Sequence, residues 1–257
     1  MQDRQTALTD SDWKYIKPIV DNGRKRKTCL RMVVDAIRSI TRTGTQWRNI
    51  DSQYRPHLSI IVYYFYRWRS DGTWGRVLSA LVGICRQAAG CPPNPSRVAL
   101  DSQSVKAPPF VSQERGIDGN KRVNGRKRHI VVDKHGLPVG VAVTAANVND
   151  GKAGLEMLWQ LEGNERLELF CLDKAYEGEF MEALSIYGWK GEVAQKPESS
   201  SGFVPQKGRW QVERSFAWMN FYRRLSKDYE KTTASAVAFI QIAFINMILA
   251  KISSLKT

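Results

Sequence analysis

The stretch Gly208–Glu230, GRWQVERSFAWMNFYRRLSKDYE, limits the fold more than any other part of the chain. It has no proline and no interior glycine, and its Leu, Met, Ala, Arg, Lys and Gln favour helix, so it predicts one long helix. Trp210, Val212, Phe216, Ala217, Trp218, Met219, Phe221, Tyr222 and Leu225 would lie almost all round it. A helix that is apolar all round needs a sizeable core to bury it, and a chain of 257 residues can supply one. At about 100° per residue, Arg209, Glu213, Asn220, Arg224 and Lys227 share one narrow polar face. That face has two readings. One is an exposed Arg209–Glu213 pair, worth about 0.2–0.5 kcal/mol. The other is a carboxylate that holds a metal beside a polyanion.

Charge favours the polyanion. With 39 Lys and Arg against 25 Asp and Glu, the net charge is +14, which attracts nucleic acid. The basic residues are scattered through folded-looking segments rather than gathered in an amphipathic membrane anchor. Cys29, Cys85, Cys91 and Cys171 show no zinc-type spacing and read as reduced thiols. Met1–Asp12 is polar, without a secretory pattern. Ala234–Ala250 is strongly apolar but interrupted by Gln241 and Asn246, and reads as a buried helix rather than a span. The expectation is a cytoplasmic protein without membrane contact.

Helical periodicity marks Leu8–Val20, Cys29–Thr41, His57–Ser70 and Trp74–Ala89. Together they outline a small all-helical unit over residues 1–90, of helix-turn-helix type. The aromatics of His57–Ser70 read as core rather than as a base-stacking surface. CPPNPS at residues 91–96 reads as a linker. From residue 97 to 257 strand patterns appear: Arg97–Lys106, Lys127–Asp133, Val139–Val148, Leu167–Leu172 and Glu192–Gln195. Helices are expected over Ala153–Leu161, capped by Asp150, and over Glu179–Tyr187. The order predicts an α+β second unit: a mixed five-stranded sheet, antiparallel meander plus parallel strands, with helices on its faces.

Asp101 and Asp173 each stand where an apolar strand run stops. If those strands are neighbours, the two carboxylates stand side by side, and Glu213 from a helix packed on the sheet completes a set of three oxygen donors. Such a set suits Mg²⁺ or Mn²⁺, and two ions can drive in-line displacement at a phosphodiester. Each acid also has a plainer reading: Asp101 as a turn residue and Asp173 as a partner of Lys174. Asp133 and Asp150 read as structural, at a hairpin end and a helix cap. Glu114–His129 reads as a glycine-containing basic loop, with five cations among the eight residues Lys121–Arg128, suited to phosphate contact.

Several blocks resemble one family in order: VALDSQSVKA at Val98–Ala107, RGIDGNKRVNGRKRHIVVD at Arg115–Asp133, TAANVNDGKAG at Thr144–Gly154, LDKAYEG at Leu172–Gly178, and the Gly208–Glu230 stretch itself. WRNI at Trp47–Ile50 and RWRSDGTWGRVL at Arg67–Leu78 continue the likeness into the helical region. They resemble the DDE transposases of bacterial insertion sequences, insertion-sequence family five. The resemblance implies an RNase H-like core with Asp101, Asp173 and Glu213 as the acid triad, bound to two Mg²⁺ or Mn²⁺ ions. It also implies that Arg209 is the arginine of the glutamate motif. Lys106, Lys121, Arg122, Arg126, Lys127, Arg128, Arg209, Arg214 and Arg224 are the expected DNA contacts. The implied partner is double-stranded DNA, at element ends and at the target, with a homodimer or larger assembly on paired ends near the bacterial nucleoid. The implied reaction is cleavage and strand transfer. A nuclease of the same fold and a non-catalytic DNA-binding remnant are the alternatives.

Overall fold

In the computed structural model, residues 7–50, 56–194 and 210–255 are described. Four helices come first: α1 (Asp10–Val20), α2 (Leu30–Thr43), α3 (Leu58–Ser70) and α4 (Thr73–Ala88). Thr9 and Asp12 form a reciprocal capping box at the start of α1, and Gly44 closes α2 in the left-handed region. These helices do not enclose a core of their own. Their buried residues, among them Ile16, Val34, Phe65 and Trp74, join one cluster with Phe239, Ile242 and Phe244 of the last helix, α8 (Thr233–Leu255).

α8 is long and apolar enough to cross a membrane, but Phe239, Ile240, Ile242 and Ile245 are fully buried. It packs on α2, α3, α4 and a sheet strand. Asn246, one of the two polar interruptions, accepts a hydrogen bond from Arg38 of α2. α8 is thus a core helix. Residues 91–96 interrupt the secondary structure, and Arg86 ties them back through the carbonyls of Pro92 (2.8 Å) and Asn94 (3.5 Å). The hydrophobic core runs on past this break.

The sheet has six strands: β1 (Arg97–Lys106), β2 (Gly116–Asp118), β3 (Val123–Asp133), β4 (Pro138–Ala145), β5 (Leu169–Leu172) and β6 (Lys190–Val193). β1, β3 and β4 form the expected antiparallel meander, and β5 and β6 add in parallel beyond β1. β2 pairs only with the start of β3, end to end with β4 along the same edge. It is the strand the sequence reading folded into a loop.

One sheet face presents Ala99, Ile130, Val132, Val141, Val143 and Cys171 to the helical core, including Val212 and Phe216 of α7 (Trp210–Met219). The other presents Val98, Leu100, Val131, Phe170 and Leu172 to Phe180 and Leu184 of α6 (Glu179–Ile186) and to Met157, Leu158 and Leu161. Residues Asp150–Leu155 form α5, followed by a separate 3-10 turn at Leu158–Leu161.

Two helix expectations need correction. Asn149, not Asp150, caps α5, accepting from Lys152 N at 3.3 Å. The long helix stops at Met219, where Asn220, Phe221 and Tyr222 bond back three residues instead of four. Asn220, Arg224 and Lys227 therefore leave the polar face that they were expected to share with Glu213.

Candidate active site

β1 and β5 run side by side in parallel, pairing Arg97 with Leu169, Val98 with Phe170 and Ala99 with Cys171. Asp101 lies two residues beyond Ala99 on β1, and Asp173 lies two residues beyond Cys171, just past the end of β5. The two-residue alternation of strands also gives them a common face. Ala99 and Cys171 belong to the helical core, so Asp101 and Asp173 lie on the face that α7 covers. Both are partly buried. Asp101 Oδ1 accepts from Ser102 N at 2.7 Å, and Asp173 Oδ1 accepts from Ala175 N at 2.9 Å. The latter caps a 3-10 turn at Lys174–Tyr176, so the capping role and the paired position coexist in one side chain.

Glu213 stands exposed in the first turn of α7, which packs on β1 and β3. Among the described residues, no three Asp, Glu, His or Cys groups form a cluster able to hold a metal ion. In kind, the aspartate pair fits a hard divalent ion such as Mg²⁺ or Mn²⁺. Asp101 and Asp173 follow strands that pair in parallel, and Glu213 stands on the helix that packs on β1 and β3.

The expected DNA contacts divide sharply. Lys106, Lys121 and Arg122 are exposed, the last two at the β2–β3 turn. Arg126, Lys127 and Arg128 are not: they are 0%, 8% and 3% exposed, inside β3. Arg126 binds Asp228 at 3.2 Å and donates to the carbonyls of Gln113 (2.7 Å) and Glu230 (2.9 Å). Lys127 Nζ pairs with Asp150 at 3.0 Å and donates to Val148 O at 3.0 Å. Burial pulls the Arg128 guanidinium down to about 10.

Arg224 is also turned inward, onto Glu230 Oε1 at 2.7 Å and over the Phe239 ring at 4.9 Å. Arg214 is clasped between the rings of Trp210 (4.1 Å) and Trp218 (4.8 Å) and donates to His135 O at 3.0 Å. Arg126, Lys127 and Arg128 are buried, and Arg214 and Arg224 are partly buried. Each is held by the protein's own acids, carbonyls or rings. Arg209 lies outside the described residues.

On the opposite sheet face, Asp150 accepts from Ser102 Oγ at 3.0 Å as well as from Lys127, fixing β1 one residue beyond Asp101. Sequence reasoning missed this role. The signal was available: once Asn149 is the cap, Asp150 needs another partner. The counter-ions Asp228 and Glu230 were missed too, because they were assigned to the helix.

A family model described as "Transposase DDE domain" matches residues 92–248, and a second, "Putative transposase of IS4/5 family", matches residues 8–78. A curated protein of Burkholderia cepacia, "Putative transposase for insertion sequence element IS402", is 33% identical over 128 residues, covering 46% of this chain and 60% of that protein. Another, from Brucella ovis (strain ATCC 25840 / 63/290 / NCTC 10512), "Putative transposase for insertion sequence element IS6501", is 28% identical over 123 residues, 46% of this chain and 92% of that protein. The chain thus spans 60% of the length of the Burkholderia relative. The DDE match takes in more than half of the chain, including both paired aspartates and the helix lying over them. Its fold is RNase H-like, and the chain belongs to the transposase DDE domain family.

Proposed function

We propose that this chain is the transposase of a bacterial insertion sequence, which binds the terminal inverted repeats of its element, cuts there and joins the freed 3′-hydroxyl to target DNA. The observation that supports the reading is the parallel pairing of β1 with β5, which carry Asp101 two residues beyond the paired Ala99 and lead to Asp173 two residues beyond the paired Cys171. Asp101 and Asp173 would hold the metal, with Glu213 as the third carboxylate. Bound Mg²⁺ or Mn²⁺, as a two-ion pair, supplies charge stabilisation for the attacking and leaving oxygens. The carboxylates fix where the phosphodiester sits, and the rate enhancement comes from positioning and electrostatics. Lys106, Lys121, Arg122 and Arg209 contact phosphates. The 1–90 unit carries much of the recognition of the ends, and the 97–257 unit carries the chemistry. Two copies act on paired ends in the cytoplasm, at the nucleoid.

The test is cleavage and DNA binding measured on the same preparations of Asp101→Asn, Asp173→Asn and Glu213→Gln. Each should lose metal-dependent cleavage by orders of magnitude and keep DNA affinity, with non-additive losses in combination. Near-parental cutting by Glu213→Gln would remove the glutamate from the site. Products on a denaturing gel that show cutting without joining would assign a nuclease instead.

A further inference from the structure

The aromatic helix α3 divides cleanly round its circumference. Ile61, Phe65 and Trp68 are 0%, 1% and 3% exposed and face the core, with Phe65 stacked on Phe239 at 4.8 Å. Ser59, Tyr63, Tyr66, Arg67 and Ser70 are exposed, Tyr63 to 56% and Tyr66 to 45%. At about 100° per residue these five fall within roughly 100° of arc, opposite the core residues. The stripe is ordered along its length. Arg67 Nη1 donates to Tyr63 OH at 3.3 Å, and the Arg69 guanidinium lies 4.9 Å from the Tyr66 ring centre.

The chemistry of the stripe is specific. α3 carries no acid at all, and Asp71, the acid that follows it, is held by Thr73 Oγ1 at 2.5 Å. What faces solvent is a guanidinium, four hydroxyls and two aromatic rings, a set that can donate, accept and make apolar contact. By contrast, α1 exposes Asp10, which pairs with Arg31 at 2.5 Å. An acid-free donor stripe on a chain of +14 complements a polyanion. At 13 residues, α3 is about 20 Å long, and the major groove of duplex DNA, about 12 Å wide, admits one helix.

We propose that the Tyr63–Tyr66–Arg67 stripe of α3 enters the major groove of duplex DNA and reads base edges at the element's ends. The assignment rests on the transposase reading above and adds to it the surface that discriminates one sequence from another. Arg67 supplies the fork that pairs with guanine, and the tyrosines supply hydroxyl and ring contacts beside it.

The experiment uses the full chain, a labelled duplex of the terminal inverted repeat that flanks its coding region, and a shuffled duplex of equal length. Binding is read by fluorescence anisotropy at several salt concentrations. Tyr63→Ala/Tyr66→Ala/Arg67→Ala should lose about tenfold or more in preference for the end duplex. Affinity for the shuffled duplex should stay within about threefold, because phosphate contacts supply it. Arg67→Gln alone, which keeps both rings, should lose at least about fivefold of the preference. These side chains are exposed, so melting temperatures should match that of the unaltered chain.

A preference that survives the triple substitution at matched melting temperature overturns the assignment. So does an intact preference with a fall in the mass seen by light scattering, which would give the stripe to a second copy. If the unaltered chain shows no preference for its end duplex, the transposase reading itself fails.

Discussion

The basic run Lys121–Arg128 splits into two regions with opposite fates. At the tip of the β2–β3 turn, Lys121 and Arg122 face solvent, while at the root, Arg126, Lys127 and Arg128 are sealed into the sheet. The tip is preset by Asp118, whose Oδ1 accepts from Asn120 N at 3.0 Å and Lys121 N at 3.1 Å. A hydrogen bond from Ser104 holds its carboxyl below the ordinary range, keeping it an acceptor. The root is different because it pairs with β1 on one side and β4 on the other, so no edge is left open to water. A cation placed there must be given a counter-charge from elsewhere in the chain. Asp150 and Asp228 do this. Sequence proximity made one basic loop of two unlike structures: a solvent-facing cationic turn and a buried electrostatic joint.

The sharpest way to break the comparison is at Arg126. Arg126→Met leaves Asp228 charged and unpaired where both partners are at most 1% exposed. That should destabilise the fold by about 3–5 kcal/mol, whereas Arg126→Met/Asp228→Leu should recover most of the loss. Urea unfolding of the two variants decides it. Equal instability in both would mean that the carbonyl contacts, not the ion pair, hold the joint.

These buried cations also explain where the sequence was legible and where it was not. α1 to α4, β1, β4 and β5 follow their periodicity and end near the expected residues. β1 and β5 were readable as two apolar runs that each end in an acid, whereas their pairing in parallel was only a condition until the sheet showed it. The end of α7 was not readable. Helix propensities differ by a few tenths of a kcal/mol per residue, while an unpaired buried charge costs several. Residues after Met219 leave the helix so that Asp228 can reach Arg126 and Glu230 can reach Arg224. Nor does α8 announce in sequence that it completes the N-terminal helical core from the far end of the chain. For Glu213, the helix that carries it was legible, though not where that helix ends.

A second effect belongs to the root and depends on pH. His129, between Arg128 and Ile130 on β3, is fully buried, its Nε2 lying 2.9 Å from Thr144 Oγ1. Burial pulls its pKa down to about 4, against the upward pull of Asp150 and assisted by Lys127 and Lys121. The folded chain therefore keeps the ring neutral where the unfolded chain, near 6.5, takes up a proton. Stability should be flat above about pH 6.5 and fall as pH drops toward 4, by up to about 3 kcal/mol. His129→Gln should flatten that limb in urea titrations at a series of pH values. An unchanged slope would place the acid sensitivity elsewhere.

At the tip the expected effect is on DNA and not on the fold. Lys121→Ala/Arg122→Ala should leave the urea midpoint within about 0.5 kcal/mol of the parent in stability. The slope of log affinity against log salt should flatten by about 0.9 per lost phosphate contact, for end and shuffled duplex alike. An unchanged slope would withdraw the tip from the DNA surface and leave neither half of the basic run on it.

The smallest expected effect separates the two roles of one residue. Arg122 has φ +52°, in the left-handed region that a side chain with Cβ occupies at a cost of about 1–2 kcal/mol. Glycine adopts that backbone freely but brings about 0.5–1 kcal/mol of extra chain entropy to the unfolded state. The difference favours glycine, so Arg122→Gly should raise stability by about 0.5–1 kcal/mol. The same substitution removes a guanidinium from the tip and should flatten the salt dependence by about 0.9. Stability and DNA affinity should therefore move in opposite directions. At the root, Arg126→Met should lower stability, since there the cation has a protein partner to lose. If Arg122→Gly instead lowers stability, the guanidinium has a partner in the folded chain, and the division between tip and root would not hold at this residue.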